Sequence, residues 1–274
     1  MWKYLKIEFD RAFRNKVFFI VILVGCFISV LQIVFEVMPV LQYQEYDNFT
    51  SFPHTSYEHY FGLKNGSMFG VYYYLIIPLL AAVPYATSCY RDRKAGYIVN
   101  VFTRTASKNY YISKYVVTFL NGGVVAIVPQ ILNFMIIAAL LPSIQPSAGM
   151  GFVGIRGDAT WAELYYTNSF LYIVLFWIID FILYGLINTL CITVSWLIEN
   201  EFLVTLVPFI FVKVLDLIAD IIGQLGLAPT ICLRPAQSSV SSFPLQMYYL
   251  ILVAFFLLSA FISIIYGVKR KENI

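Results

Sequence analysis

The chain has 274 residues, of which 60% are hydrophobic and only 12% are charged, and its formal net charge is +3. Because a soluble domain carries about 25% charged residues, this composition excludes an ordinary soluble protein and indicates a membrane protein. The small positive charge gives no indication of nucleic-acid binding. The four cysteines are scattered without a CxxC spacing, which argues against a disulfide framework or a zinc motif.

Residues 1–16 are predicted to form an amphipathic helix that lies flat at the membrane interface. Aromatic and aliphatic side chains recur there at helical spacing, whereas charged side chains occupy the other faces, as expected for an interfacial helix. The apolar set is Trp2, Leu5, Phe9, Ala12 and Phe13, and the charged set is Lys3, Lys6, Asp10 and Arg14. The alternative is a plain basic flank of the first membrane span.

Six apolar runs follow, each of roughly the 20 residues that cross a bilayer. Backbone groups in hydrocarbon must hydrogen-bond within their own segment, so we predict helices and an all-α membrane protein of one domain, 1–274. The predicted transmembrane helices are 17–37, 68–89, 115–141, 169–190, 202–222 and 246–267.

The distribution of Lys and Arg predicts the orientation of the chain. Fourteen of the eighteen lie in the N-terminal segment, in the segment 90–114 and at the C-terminus. The positive-inside rule therefore places these three regions on the cytoplasmic side. We expect a multi-pass membrane protein with both termini in the cytoplasm.

The loop between the first two predicted spans contains His54, Glu58 and His59. Neutral imidazoles and a carboxylate are ligands that a transition metal accepts. Their spacing, however, matches no metal-site pattern and differs from the HExxH of metalloproteases. The sequence therefore predicts a hydrated surface loop and no metal site.

Four ionisable residues fall within predicted spans. Asp180 lies in the fourth span, and Lys213, Asp216 and Asp220 lie on one face of the fifth. Charged groups in hydrocarbon are costly, so they normally pair or line a wet path. One interpretation is a proton or substrate path. The other is a Lys213–Asp216 pair that neutralises itself, with Asp220 near the outer water surface.

No motif in the chain indicates catalysis or cofactor binding. No GxSxG elbow surrounds a candidate serine such as Ser195, and no GxxxxGK[ST] phosphate-binding loop occurs. We expect that this chain is not an enzyme and holds no cofactor or metal of its own.

The segment 90–114 is the most distinctive part of the sequence. Asp92 and Gly96 precede an apolar stripe at helical spacing, and Ser107 is placed to cap a helix over 108–114. The stripe consists of Tyr97, Ile98, Val101 and Phe102. Such a stripe is suited to fill a protein groove while nearby Arg and Lys steer the partner. The alternative is a basic loop that binds anionic lipid headgroups.

This segment resembles the cytoplasmic loop of the permease subunits of type-2 ATP-binding-cassette (ABC) exporters. In that family an acidic residue and a glycine precede a short helix, and a small-residue and Arg/Ser turn leads to aromatics and a lysine that open the third span. The corresponding positions here are Asp92, Gly96, Arg104, Ser107, Tyr110, Tyr111 and Lys114. Asp92 stands where a glutamate is more usual. Chain length, six spans and the N-terminal helix agree over the whole chain.

The resemblance implies a membrane subunit that forms half of a translocation pathway with a second permease copy or homologue. A separate ABC ATPase dimer would bind ATP and Mg²⁺ and receive 90–114 as a coupling helix, with the turn 196–201 (Glu199, Glu201) as a second contact. A peptide, a bacteriocin or a hydrophobic compound is the implied cargo. Two alternatives stay open. They are an ion-coupled secondary transporter that uses Lys213, Asp216 and Asp220 together with Asp180, and a non-transporting membrane scaffold.

Overall fold

A computed structural model describes residues 2–43, 54–103, 106–146, 155–238 and 242–270, and every regular element in these ranges is helical. The α-helices are α1 Trp2–Phe13, α2 Lys16–Gln32, α3 Met38–Tyr43, α4 Ser56–His59, α5 Met68–Ala82, α6 Ser88–Lys94, α7 Tyr97–Phe102, α8 Ser107–Leu140, α9 Ala162–Thr167, α10 Ser169–Val194, α11 Glu201–Ile221, α12 Pro229–Cys232 and α13 Leu245–Arg270. A π-helical turn, Ile33–Val37, joins α2 to α3, and a short 3₁₀ turn, Leu225–Leu227, precedes α12.

Five helices of the described chain are long and apolar enough to cross a membrane, which fits a multi-pass transmembrane protein. They are Lys16–Leu41, Ser107–Leu140, Ser169–Val194, Glu201–Ile221 and Leu245–Val268. The second of these, Ser107–Leu140, begins eight residues before the predicted span 115–141, because the polar lead-in of that span is already helical.

The predicted second span, 68–89, is not one helix. Helix α5 ends at Ala82 after 15 residues, and a turn separates it from α6. Pro84 lies in that turn and has no N–H to continue a helical hydrogen-bond ladder. At a rise of 1.5 Å per residue, α5 is about 22 Å long, which is shorter than the hydrocarbon core of about 30 Å.

Helices α8 and α10 form the centre of the bundle, and α2, α11 and α13 pack around them. The two central helices approach closely because glycines face the partner helix. A Cβ atom on Gly185 of α10 would lie 2.7 Å from the backbone oxygen of Phe119 in α8. Gly122 and Gly123 of α8 face Asn188 and Phe181 of α10 in the same way. Small residues of this kind allow membrane helices to pack backbone to backbone.

Helix α1 packs against the start of α8 through its Ala12 face. The predicted apolar stripe is divided by this contact: Ala12 is buried and Leu5 and Phe13 pack beside it, while Trp2 and Phe9 remain exposed. Glu8 lies on the inward face with Leu5 and Ala12 and is also buried. An amphipathic helix therefore places one carboxylate inside the protein.

Candidate functional site

The segment 90–114 folds into two short helices that lead into α8. Helix α6 ends at Lys94, and Gly96 then takes a left-handed conformation with φ of +67° before α7 begins. Such a backbone angle favours glycine, because a Cβ atom would be strained there. This sharp turn folds α7 back beside α6, and both helices lie at the end of the bundle where α8 begins.

A buried charge network fastens these helices to the bundle. The network consists of Glu8 and Arg11 of α1, Asp92 of α6 and Lys114 of α8. The Lys114 ammonium lies 2.7 Å from a Glu8 oxygen and 2.7 Å from an Asp92 oxygen, and Arg11 contacts both carboxylates. Two cations face two anions, so the network is neutral as a whole.

The Lys114 side chain has no solvent exposure, so its hydrogen bonds must be satisfied inside the protein. Its three N–H donors have three partners, since Nζ also donates to the Tyr85 hydroxyl at 3.3 Å. The Tyr85 hydroxyl donates in turn to Glu8, and the Tyr110 hydroxyl donates to Asp92 at 2.9 Å. Each charged atom of this cluster is therefore hydrogen-bonded.

The contacts between Arg11 and Asp92 favour the charged form of both side chains. Burial acts to raise the pKa of the Asp92 carboxyl, but the hydrogen bond from Arg11 and the charge of Lys114 outweigh burial and hold the pKa below its usual value. Partial burial opposes the charge of Arg11, but the hydrogen bond to Asp92 and the charge of Glu8 raise its pKa. Both groups are charged at neutral pH, and Asp92 is committed to contacts within this chain.

The predicted stripe on α7 is not exposed as a whole. Ile98 and Val101 are buried and pack into the chain's own core beside Tyr110 and Tyr111 of α8. Phe102 is half-buried against the same two rings. A six-residue helix with apolar residues on several sides must turn one face inward, and this face is the Ile98–Val101 face.

The outward face of α7 consists of Tyr97, Val99 and Asn100, with Val99 53% exposed. Arg11 also lies 5.3 Å above the Tyr97 ring, which links this face to the charge network. A partner protein would therefore contact Tyr97 and Val99. Ile98 and Val101 are buried and hold α7 against the core of this chain.

Two other predicted residues of the segment differ from their expected roles. Ser107 is the first residue of α8 and is buried, and Ala106 occupies the capping position in an extended conformation without a side-chain hydrogen bond. The prediction that Ser107 caps the helix is therefore wrong by one position. Arg104 lies outside the residues that the structure describes.

The turn between α10 and α11 lies beside α6 at the same end of the bundle. The Tyr90 hydroxyl donates to the Glu199 carbonyl at 2.6 Å, and Glu201 accepts from Thr87 and pairs with Arg91 at 3.1 Å. Leu197 on this turn is 83% exposed, which is unusual for a large apolar side chain next to so many polar groups.

Arg93 connects the turn to α6 a second time. Its guanidinium donates to the Ser195 carbonyl and lies 5.1 Å above the Trp196 ring. The two segments that the sequence predicts as partner contacts are therefore joined to one another. We call the exposed residues Tyr97, Val99, Asn100 and Leu197 the loop surface.

The four ionisable residues within apolar helices do not form one constellation. Lys213 pairs with Asp216 at 2.6 Å, and Asp216 also accepts hydrogen bonds from Thr230. Asp220 is exposed near the end of α11. Within the described ranges, no ion pair or hydrogen bond links Asp180 to any of the other three. Asp180 instead accepts from Gln130 at 2.7 Å and from Tyr74 at 3.3 Å, and its second oxygen is buried without a partner there.

At the opposite end of the bundle, the loop before α5 brings His54, Glu58 and His59 together. The three ligand atoms are His54 Nδ1, Glu58 Oε2 and His59 Nε2, with separations of 3.1, 3.3 and 3.7 Å. His59 is buried, and desolvation together with the charge of Lys64 lowers the pKa of its imidazole to about 4. This part of the loop is therefore packed, whereas the sequence predicted a hydrated loop.

Sequence reasoning missed Glu8, Arg11 and Tyr85 as parts of the charge network. One signal was present: Glu8 is a carboxylate on the apolar face of an amphipathic helix, three residues after Leu5 and four before Ala12. Another was Lys114, a lysine among aromatic residues at the start of an apolar helix. Their pairing required the three-dimensional arrangement of α1 and α8.

Comparisons with known proteins gave no relative: no family model, no curated protein and no solved structure matches the chain.

Proposed function

We propose that this chain is the membrane-spanning subunit of an ATP-driven exporter of the type-2 ABC class, and that it receives mechanical work through the loop surface. The observation that carries the proposal is the charge network. Its ion pairs join α6 to α1 and α8, and the lysine in these pairs, Lys114, is fully buried. The sequence resemblance of 90–114 to a coupling loop supports the same function.

A force applied to α7 would reach the membrane helices by two routes. Ile98 and Val101 press on Tyr110 and Tyr111 near the start of α8, and Asp92 holds Lys114 of the same helix. Because packed cores and paired charges resist independent movement, α6, α7 and the first turns of α8 would move together. Helix α1 would move with these helices as well, because its Arg11 forms an ion pair with Asp92.

The proposal includes six membrane crossings with both termini in the cytoplasm of a bacterium. Helix α5 is too short to cross the membrane alone. In this proposal, the turn after Ala82 and the first residues of α6 complete this crossing. Irregular backbone at membrane depth is tolerated where it is buried in protein. The turn fits this condition, since Tyr85, Ala86 and Thr87 are all buried.

The partners in this proposal are a dimeric ABC ATPase that binds ATP and Mg²⁺ and a second permease copy or homologue. The proposal places ATP hydrolysis on another polypeptide, since these 274 residues contain no GxxxxGK[ST] phosphate-binding motif. An apolar cleft of about 310 Å³ lies between α10 and α13 and is lined by Trp161, Ile179, Leu183 and Tyr249. It is compatible with a peptide or hydrophobic cargo.

Co-purification with any ABC ATPase that is encoded beside this chain tests the proposal. Val99→Asp places a charge on the loop surface without disturbing the core, and we expect it to abolish recovery of the ATPase. Leu225→Asp is the matched control, because Leu225 is a similarly exposed apolar residue on the 3₁₀ turn outside this loop. Equal recovery of the ATPase with both variants would contradict the proposal.

The ion-coupled alternative has one observation in its favour, which is the unpartnered oxygen of Asp180 in the centre of the bundle. The pairing of Lys213 with Asp216 weighs against it, because that pair leaves no continuous row of charges along α11. Transport driven by a pH gradient in the absence of ATP would favour this alternative. A chain that neither transports nor binds an ATPase would favour a membrane scaffold.

A further inference from the structure

We infer that His54, Glu58 and His59 form a binding site for a divalent transition metal, with Zn²⁺ the best match. The inference does not depend on the proposed transport function. It starts from the geometry of three ligand atoms that converge at the bundle end opposite the charge network.

The separations fit the corners of a tetrahedral site. Zn²⁺ binds imidazole nitrogen and carboxylate oxygen at about 2.0–2.2 Å, so two ligand atoms on one tetrahedral ion are about 3.3–3.5 Å apart. The observed separations are 3.1 Å between His54 Nδ1 and His59 Nε2, 3.3 Å between His54 Nδ1 and Glu58 Oε2, and 3.7 Å between His59 Nε2 and Glu58 Oε2. A cation just above the plane of this triangle would contact all three atoms and keep a fourth position for water.

Hydrogen bonding alone leaves this arrangement incomplete. Each neutral imidazole has a single N–H, and the carboxylate oxygen can only accept. A proton on one facing nitrogen serves two of the three contacts at most and leaves two lone pairs facing each other. Protons on both nitrogens leave two N–H groups facing each other across 3.1 Å. A metal ion satisfies the three lone pairs together.

The loop is held in place by contacts that do not involve the three ligands' side chains. Gln32 donates to the His59 carbonyl at 3.1 Å, and Ser56 is bonded to Pro142 and Ser143 at the end of α8. Such support fixes a ligand set before the metal arrives, which lowers the entropy lost on binding. His54 and Glu58 are about one-third and one-quarter exposed, so the site has an entry path.

One feature limits the expected affinity. The other ring nitrogen of His59, Nδ1, is buried without a hydrogen-bond partner among the described residues. Metal-bound histidines usually donate that second N–H to an acceptor, and loss of such an acceptor weakens metal binding by about 10–100-fold. We therefore expect weaker binding than at a fully supported zinc site, together with selectivity against Mg²⁺ and Ca²⁺, which prefer oxygen ligands.

Metal titration of the full chain in detergent tests the site, with an affinity tag that contains no histidine. After treatment with a chelator, we expect one Zn²⁺ to bind per chain in competition with a chromogenic chelator, and excess Mg²⁺ to leave binding unchanged. Co²⁺ in its place should give the visible absorption of a tetrahedral complex.

His54→Ala and Glu58→Gln are the decisive variants because both side chains are partly exposed and their loss should leave the fold intact. Each is expected to weaken Zn²⁺ binding at least tenfold with an unchanged melting temperature of the metal-free chain. Glu163→Gln, an exposed carboxylate in α9, is the matched control and should bind like the parent. Absence of a Zn²⁺ equivalent, or equal binding by all four proteins, would overturn the inference.

Discussion

Lys114 shows how a single residue connects the loop to the membrane helices. Its ammonium is fully buried, and its ion-pair partners Glu8 and Asp92 come from helices that are far apart in sequence. A buried ion pair can be replaced as a whole at little cost, but removal of one partner leaves the other charge uncompensated. The stability of this region therefore depends on the balance of the network.

The first prediction concerns this balance. Lys114→Met leaves two carboxylates with Arg11 as the remaining cation, and we expect the free energy of unfolding to fall by about 3–5 kcal/mol. Thermal unfolding of the purified chain in detergent measures the loss. Lys108→Met removes an exposed lysine from the same helix and should change stability little. Equal stability of the two variants would show that the ion pairs of Lys114 contribute nothing.

The second prediction concerns Asp92 and pH. Because its pKa is lower in the folded chain than its ordinary value of 3.8, its contribution to stability is complete above that value. The contribution is lost as pH falls through the folded pKa. Asp92→Asn should therefore be less stable than the parent at pH 7, and the difference should shrink as the pH is lowered below 3.8, as followed by thermal unfolding.

A second substitution shows whether Asp92→Asn lowers stability through the net charge of the network or through the altered shape of the side chain. Adding Arg11→Gln to Asp92→Asn returns the network to zero net charge, with Glu8 and Lys114 still paired. The double variant should regain part of the stability lost by the single one at pH 7. A double variant less stable than Asp92→Asn would mean that charge balance is not the cause.

At this scale, the sequence drew attention to Asp92 and the apolar stripe on α7 but did not show where their side chains lie. Asp92 was expected at a partner interface and instead binds Arg11 and Lys114 within the chain. Ile98 and Val101 were expected outside and are buried. A six-residue helix with apolar residues on several sides does not reveal its inner face until its neighbours are known, and those neighbours come from α8 and α10.

At the scale of elements, the most extensive helix contact in the described ranges is the one between α8 and α10. Gly185 lies against the backbone of Phe119, so any side chain there must push the helices apart, because a backbone atom cannot rotate away. A Cβ atom on Gly123 would likewise lie 2.8 Å from the backbone oxygen of Phe181, and one on Gly122 would lie 2.7 Å from the Asn188 side chain.

The third prediction tests this contact. Gly185→Ala should lower the free energy of unfolding by about 1–3 kcal/mol through overpacking, although alanine is the better helix former. Gly157→Ala is the control, since a Cβ atom there meets nothing within 4 Å. Thermal unfolding in detergent compares the two, and a stabilised Gly185→Ala would contradict the close contact.

The helix positions followed largely from apolar runs, since hydrocarbon requires long apolar helices. The early end of α5 had a local cause in Pro84 that apolar content alone does not show. The approach of α8 to α10 required knowledge of which glycines face which helix, and this depends on tertiary packing. In the same way, His54, Glu58 and His59 match no spacing rule because a packed loop, and not a single helix face, brings them together.

At the scale of the whole molecule, the two ends of the bundle have different roles in this account. The loop surface and the charge network lie where α8 begins, and the histidine cluster lies near its end. The long helix α8 connects the two ends through the centre of the bundle. A movement of the loop surface is therefore expected to reach the membrane interior through α8.

The most direct test of the proposed ATPase partnership measures ATP hydrolysis by an ABC ATPase encoded next to this chain, reconstituted with the chain in proteoliposomes. We predict that the parent chain changes the ATPase rate at least severalfold, that Val99→Asp removes this change, and that Leu225→Asp retains it. An ATPase rate that is the same with the parent chain, with Val99→Asp and without any chain would contradict the central claim.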